Sequence, residues 1–256
     1  MKRVWAILCI IMLAALGLAL TARAQNGDRE ELFYTSNQHY KNGNFQQAVD
    51  GYRHLIQSGQ SSGQVYYNLG NAYFRTQDLG RAILNYERAM LRMPRNADLK
   101  FNLSMARDQT QDVVPPSQSF TGLLFAWLAS VTLSELFWSF AVLNGLFMAI
   151  LITRLFIRRE WNYYLLILLT VLWIPAGVSF GMRHYQIWSD QRAVVLVREM
   201  NVYAGPDTGD TVLFKLHQGT IVSEERSEDN WSLVRLTDKK RGWARAEAVE
   251  RIRAVP

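Results

Sequence analysis

Two long apolar runs constrain this chain more than any other part of its sequence. Residues 136–157 carry one charge, on Arg154, and residues 163–182 carry none. Each run is about as long as the roughly 20 residues that a helix needs to cross ~30 Å of hydrocarbon. Because backbone polar groups in a bilayer must be paired within the segment itself, the runs predict a hairpin of two transmembrane helices over 136–182.

Basic residues orient this hairpin. Arg154, Arg158 and Arg159 lie in or beside the short turn between the runs, whereas residues 112–135 contain no lysine or arginine. Loops rich in lysine and arginine stay in the cytoplasm. We therefore expect the turn to be cytoplasmic and the segments on both sides of the hairpin to lie outside, in the periplasm.

The N-terminus predicts a secretory signal peptide over residues 1–24. Lys2 and Arg3 precede an apolar core over 4–20, and Ala22-Arg23-Ala24 forms a small-residue cleavage site before Gln25. This order is typical of exported proteins. The alternative is an uncleaved anchor, and both interpretations place the following segment outside the cytoplasm, in agreement with the arginine-rich turn.

The net charge of +6 does not indicate a nucleic-acid binder. Basic residues exceed acidic ones by one over residues 25–130 and equal them over 190–256, so the excess lies in the leader and beside the apolar runs. A nucleic-acid binder concentrates its excess as a basic patch on a folded domain. The single cysteine, Cys9, lies in the leader, so a cleaved chain has no residue for a disulfide or a thiolate metal site.

Residues 113–135 predict a linker and an interfacial helix. Pro115 and Pro116 end the preceding helices, and the apolar stretch 121–131 with Trp127 is too short to cross a bilayer. Such a stretch lies in the membrane interface with its aromatic residues at the headgroups. The sequence from Thr132 to Glu135 is typical of a capping box that opens a helix.

A period of 34 residues organises residues 25–112. The clearest copy, residues 63–96, places small or apolar residues at helical spacing on two helices and a proline at the exit. This copy resembles the tetratricopeptide repeat at eight positions: Tyr66, Leu69, Gly70, Tyr73, Ala82, Tyr86, Ala89 and Pro94.

The neighbouring copies are incomplete. Residues 29–62 keep Ala48, Tyr52 and the turn 42–45, and residues 97–111 supply a first helix alone. The module therefore contains two and a half repeats, fewer than the roughly three that bury a continuous core. We expect it to be supported by the membrane, by a partner or by a second copy of itself as a homo-oligomer.

The first helices of such repeats form a concave face. The resemblance implies a protein-binding groove there, rich in amides and aromatic rings, although the asparagines could instead simply solvate a helix face. Asn37 and Asn68 match the asparagines of repeats that clamp a carboxylate, but the basic residues of such a clamp are absent. The predicted groove residues are Asn37, Tyr67, Asn68, Asn71, Phe74 and Asn102.

Residues 190–256 predict a small all-β barrel. Strands are expected over 193–197, 212–216, 220–223 and 231–236, separated by glycine and proline turns. The segments 201–206, 216–222, 230–235 and 241–244 resemble the bacterial SH3 domain. Tyr203 stands where that family has an arginine. Trp231 and Trp243 fit core packing best, and a ligand surface formed with Tyr203 is the alternative.

Nothing in the sequence indicates catalysis. The patterns of a nucleophile elbow, a zinc-binding helix and a phosphate loop are absent, and the four histidines are scattered along the chain. A Cys/His peptidase, which often accompanies bacterial SH3 domains, needs a cysteine that the cleaved chain lacks. We predict a non-enzymatic protein with no catalytic, cofactor or metal site.

Together these segments predict a multi-domain membrane protein. The order of its modules resembles that of the BatE class of Bacteroides aerotolerance proteins. The resemblance implies a scaffold or adaptor in the inner membrane, working in the periplasm within an aerotolerance or envelope-stress complex. Its implied partners are von Willebrand A-type proteins, BatD-like membrane proteins and a MoxR-type ATPase. The alternative is an envelope sensor that binds peptidoglycan through the SH3-like domain.

The predicted topology can be tested with a reporter that is active only in the cytoplasm. Fused after Pro256, it is expected to be silent, because the chain downstream of the hairpin lies outside. A fusion ending at Arg159, in the turn, is the matched control and should be active. Activity after Pro256 would show that the orientation is reversed.

Overall fold

The structure is a computed structural model that describes residues 27–112, 126–157, 159–236 and 240–253. The predicted signal peptide, the linker 113–119 and the interfacial stretch up to residue 125 lie outside these ranges. The described chain contains a helical stack, two long apolar helices and an antiparallel β-sheet domain.

The helical stack is built from antiparallel pairs. Ser62, Asp78 and Asn96 begin three of its helices by accepting a backbone N–H with their side chains, which satisfies one of the unpaired donors of each first turn. Helix α1 spans residues 27–41, α2 Phe45–Gln57, α3 Gly63–Arg75, α4 Leu79–Arg92 and α5 Ala97–Asp108.

Small residues set the distance between the paired helices. A Cβ on Gly70 would lie 2.6 Å from Cδ1 of Tyr86, so only glycine allows α3 and α4 to pack at this distance. Ala82 is fully buried in the same contact. Gly43 has φ +80° in the predicted turn between α1 and α2, a conformation that glycine adopts without strain.

Two helices are long and apolar enough, by length and composition, to cross a membrane. They are α7, Leu133–Phe156, and α8, Glu160–Trp188, and a short helix α6, Ala126–Ala129, precedes them. The capping box predicted at Thr132 is present. Helix α8 continues six residues beyond the predicted end at 182, because the sequence offers no helix-ending residue before Ser189.

An aromatic ladder joins the two long helices. Trp173 stacks on Phe147 with a centroid distance of 5.3 Å, and Phe140 stacks on Phe180 at 6.2 Å. Gly177 leaves the space that the Phe140 ring occupies. The outward sides are apolar and exposed, as at Phe156, whose exposed fraction is 82 %.

The C-terminal part is a seven-stranded antiparallel sheet with the order β3-β2-β6-β5-β4-β1-β7. Four strands agree with the predicted ones, although β4 runs to Glu228 rather than 223, and β2, β6 and β7 had not been predicted as strands. The strands are β1 Arg192–Val195, β2 Glu199–Tyr203, β3 Val212–His217, β4 Ile221–Glu228, β5 Trp231–Arg235, β6 Arg241–Arg245 and β7 Val249–Arg251.

This barrel packs directly on the helical stack. Val194 and Ile252 are fully buried within the hydrophobic core of the repeats. Gly80 of α4 brings the helix so close to β1 that a Cβ would lie 2.6 Å from the carbonyl oxygen of Val195. Gly219, at φ +87°, likewise leaves room for Ile83. The incomplete repeat is thus supported by the barrel of its own chain, a source that the sequence analysis had not considered.

Three polar clusters hold the contact. The Arg88 guanidinium donates to the carbonyl of Ile252 at 3.0 Å and to Glu250 at 2.7 Å. The Asp112 carboxylate accepts from the backbone N–H of His217 at 2.7 Å and from the Thr220 hydroxyl at 2.6 Å. Burial raises the pKa of Asp112, but these hydrogen bonds together outweigh it and hold the pKa below its ordinary value.

The third cluster is a chain of charges around Glu87. This carboxylate, 3 % exposed, accepts hydrogen bonds from Arg107 of α5 and from Arg192 of β1. Arg192 in turn binds Asp190 through Nε and Nη2. Burial lowers the pKa of Arg192, but the carboxylates of Asp190 and Glu87 reverse this effect and raise it above its ordinary value. The arginine therefore stays charged.

Candidate binding surfaces

The concave face of the repeats forms a groove along α1, α3 and α5. Two adjoining pockets, of about 470 and 280 Å³, share Tyr40 and Asn71. All six predicted groove residues line one or both of them, which places them together on one surface.

Hydrogen bonds between side chains in this groove repeat with the same period of 34 residues. Tyr52 donates to Oδ1 of Asn37 at 2.6 Å, and Tyr86 donates to Oδ1 of Asn71 at 2.8 Å. The next repeat adds a second donor to each oxygen: Asn68 Nδ2 to Asn37 at 2.9 Å, and Asn102 Nδ2 to Asn71 at 3.0 Å. We call this set the amide ladder: Asn37, Tyr52, Asn68, Asn71, Tyr86 and Asn102.

The ladder fixes the orientation of two amides. Burial raises the pKa of Tyr52 to about 12 and also raises that of Tyr86, so both hydroxyls stay protonated and can donate. Oδ1 of Asn37 and Oδ1 of Asn71 each accept from a tyrosine hydroxyl and from the Nδ2 of the next repeat, which leaves their own Nδ2 groups to donate elsewhere. Neither Nδ2 has a hydrogen-bond acceptor among the described residues.

Asn71 has a structural role besides lining the groove. It accepts from Tyr86, which is 1 % exposed, so truncating Asn71 would remove the partner of a buried hydroxyl. The groove is part of the structure that holds successive repeats together.

The groove contains more apolar and aromatic surface than the six predicted residues supply. Four further residues lie one period of 34 away from predicted ones, so the repeat spacing already contained the signal. They are Phe33, Tyr34, Tyr40 and Met105. Among the lining residues, Lys41 carries the one formal positive charge.

The three residues proposed for the barrel surface lie on its outer face. Along β5 and β6, Ser232, Val234 and Ala244 point into the barrel core, and the alternating positions point outwards. Trp243 is half-buried there, opposite Tyr203 of β2 and Leu233 of β5.

Trp231 lies on the same face but is only 9 % exposed. The edge of the Tyr203 ring meets it at a centroid distance of 5.6 Å, and the Arg245 guanidinium covers it at 4.5 Å. Trp231 is thus among the buried hydrophobic residues, whereas Trp243 is half-buried on the outer face and lies outside the hydrophobic cluster of the barrel. Trp243 and Tyr203 form an aromatic surface with Trp231 beneath its edge.

The geometry defines a helical-repeat module joined to an SH3-like barrel, with two candidate binding surfaces. Comparison with protein families agrees on both modules: residues 63–96 match the tetratricopeptide repeat, and residues 197–250 match the bacterial SH3 domain. A search of curated proteins found no match.

The two families are interaction modules that are typically non-catalytic. Tetratricopeptide repeats suggest binding of proteins, and bacterial SH3 domains suggest binding of the cell wall. In the described ranges no three His, Cys, Asp or Glu side chains converge in a way that could hold a metal ion.

Proposed function

We propose that this chain is a membrane-anchored adaptor of the bacterial envelope that holds a segment of a partner protein in its concave groove. The two apolar helices anchor it in the inner membrane, and the repeats and the barrel lie in the periplasm. The observation that carries the proposal is the amide ladder, because it sets donors at regular spacing along an aromatic groove.

The ladder indicates how the partner is bound. The Nδ2 groups of Asn37 and Asn71 are one repeat apart and are free to donate to backbone carbonyls of an extended segment. Tyr67 and Phe74 offer apolar surface beside Asn71. Since the lining consists mainly of amides and aromatic rings, with Lys41 as its one formal charge, the groove favours a largely apolar segment.

Contacts between the soluble part and the long helices support an anchored adaptor. Arg95, after α4, pairs with Glu135 in the first turn of α7. Arg253 donates to the carbonyl of Trp188 at 2.9 Å and lies 4.5 Å from the centre of its ring. Repeats and barrel thus both contact the ends of the hairpin that the orientation rule assigns to the periplasm.

The resemblance to the BatE class names the candidate partners. They are the von Willebrand A-type and BatD-like membrane proteins of an aerotolerance or envelope-stress complex. The order of modules, rather than any single residue, supports this assignment.

The groove can be tested by replacing Asn37 and Asn71 with aspartate. Each replacement keeps the oxygen that accepts from the ladder, but exchanges the free N–H donor for a second oxygen that repels a carbonyl. Losing such a hydrogen bond should weaken partner binding by about tenfold to a hundredfold. Co-purification of the von Willebrand A-type protein from native membranes measures the effect.

The matched control is Asn42→Asp, in the exposed turn before α2, which should leave the complex intact. The thermal melt of the double variant should stay close to that of the wild type, because the ladder keeps its acceptors. A complex that persists in the double variant would show that the partner is held by the barrel or the hairpin.

A second candidate function, binding of peptidoglycan, is favoured by the outward position of Trp243 and Tyr203 on a domain of the bacterial SH3 family. The full chain in detergent should then sediment with insoluble peptidoglycan. Trp243→Ala should reduce the bound fraction, whereas Asn37→Asp should not. Equal sedimentation of both variants with the wild type would exclude this aromatic surface as the site.

A further inference from the structure

A separate cleft lies on the opposite side of the repeats from the groove. It has a volume of about 610 Å³ and is lined by residues of α2, α3 and α4, with Glu250 of β7 closing one side. It is thus formed jointly by the repeats and the barrel. Neither interaction family matched by this chain accounts for it.

Three arginines and two carboxylates meet in this cleft. Arg81 pairs with Asp78 at 2.5 Å, and Arg88 pairs with Glu250 at 2.7 Å. Arg53 of α2 lies in the same cleft, is exposed, and forms no ion pair with any residue that the structure describes. The cleft therefore carries one positive charge that the protein itself does not neutralise.

The floor of the cleft supplies a hydroxyl beside these charges. Tyr73 is 9 % exposed, and its hydroxyl makes no hydrogen bond within the described part of the chain. Burial raises the pKa of Tyr73, and the charges of Arg53, Arg81, Asp78 and Glu250 all act on it. The hydroxyl is thus a protonated donor that lies among the guanidinium groups.

We propose that this cleft binds an oxyanion, with Arg53 and the Tyr73 hydroxyl as its donors and Arg81 beside them. A guanidinium presents paired N–H donors that fit a carboxylate or a phosphate. The volume exceeds that of a single ion and suits a short peptide, so the ligand class is a small carboxylate-bearing peptide. Free phosphate presents the same kind of oxyanion oxygens and is the alternative ligand.

The cleft lies where the repeats and the barrel meet. Glu250 and Arg88, which join the barrel to α4, also line the cleft. A ligand bound there would contact both modules at once and would strengthen their association by preferring the docked state. This proposal is independent of the proposed function of the groove.

Calorimetric titration of the full chain in detergent tests the site with triglutamate, with trialanine that is acetylated and amidated at its ends, and with inorganic phosphate. Triglutamate should bind, and the capped trialanine, which has no carboxylate, should not. Arg53→Gln should weaken binding about tenfold or more, since it removes a charged donor. Tyr73→Phe, which keeps the ring, should weaken it less. Arg198→Gln removes another exposed arginine without a described ion pair, lies outside the cleft, and should have no effect.

A melting temperature equal to that of the wild type shows that a variant is folded, so that its loss of binding reports on the site. Binding of phosphate but not triglutamate, lost in Arg53→Gln, would confirm the oxyanion site and assign phosphate as its ligand. Absence of binding by both anions would overturn the proposal. So would binding that Arg53→Gln and Arg198→Gln weaken equally, because it would then depend on overall charge.

Discussion

The docking of the barrel on helix α4 is the contact on which the rest of the soluble structure depends. At its centre the buried carboxylate of Glu87 is held between Arg107 of the repeats and Arg192 of the barrel. A buried charge is tolerated only when it is paired, so the two arginines stabilise the carboxylate in this position. The same contact buries Val194 and Ile252 in the core of the repeats, so an incomplete repeat array gains the apolar cover that a third repeat would have supplied.

This arrangement leaves both candidate binding surfaces uncovered. The barrel contacts α4 and the loop after α5, whereas the groove runs along the first helices of the repeats. The aromatic surface of the barrel lies on β2, β5 and β6, whereas the contact with the repeats is made by β1, by β7, and by the end of β3 with the turn after it. One folded unit can therefore present the proposed binding groove and a second surface on the barrel, and it contacts the ends of the apolar hairpin.

Much of the groove could be predicted from the sequence because the information is periodic. Asn37 and Asn71, like Tyr52 and Tyr86, are one repeat apart, so a single well-matched copy locates its counterparts. The docking contact has no such signal, since Arg88 and Glu250 are far apart in the chain and neither is unusual in its own segment. The role of Gly80 could not be predicted for the same reason. The backbone of β1, far away in the sequence, leaves no space for a side chain at this position. The half-exposed position of Trp243 could not be predicted for a related reason: alternation along a strand shows two faces but not which one the rest of the barrel covers.

Hydrogen exchange of the full chain carrying Gly80→Ala tests the central claim most directly. Alanine favours a helix over glycine by about 1 kcal/mol, so any loss of protection in α4 cannot come from helix propensity. The added Cβ would instead meet the carbonyl of Val195 and separate the modules. Gly27→Ala, at a helical position with open space around it, is the control. If the repeats and the barrel stabilise each other, hydrogen exchange should become faster in α4, α5 and β1 together. Faster exchange in β1 alone, with α4 and α5 protected as before, would contradict this claim.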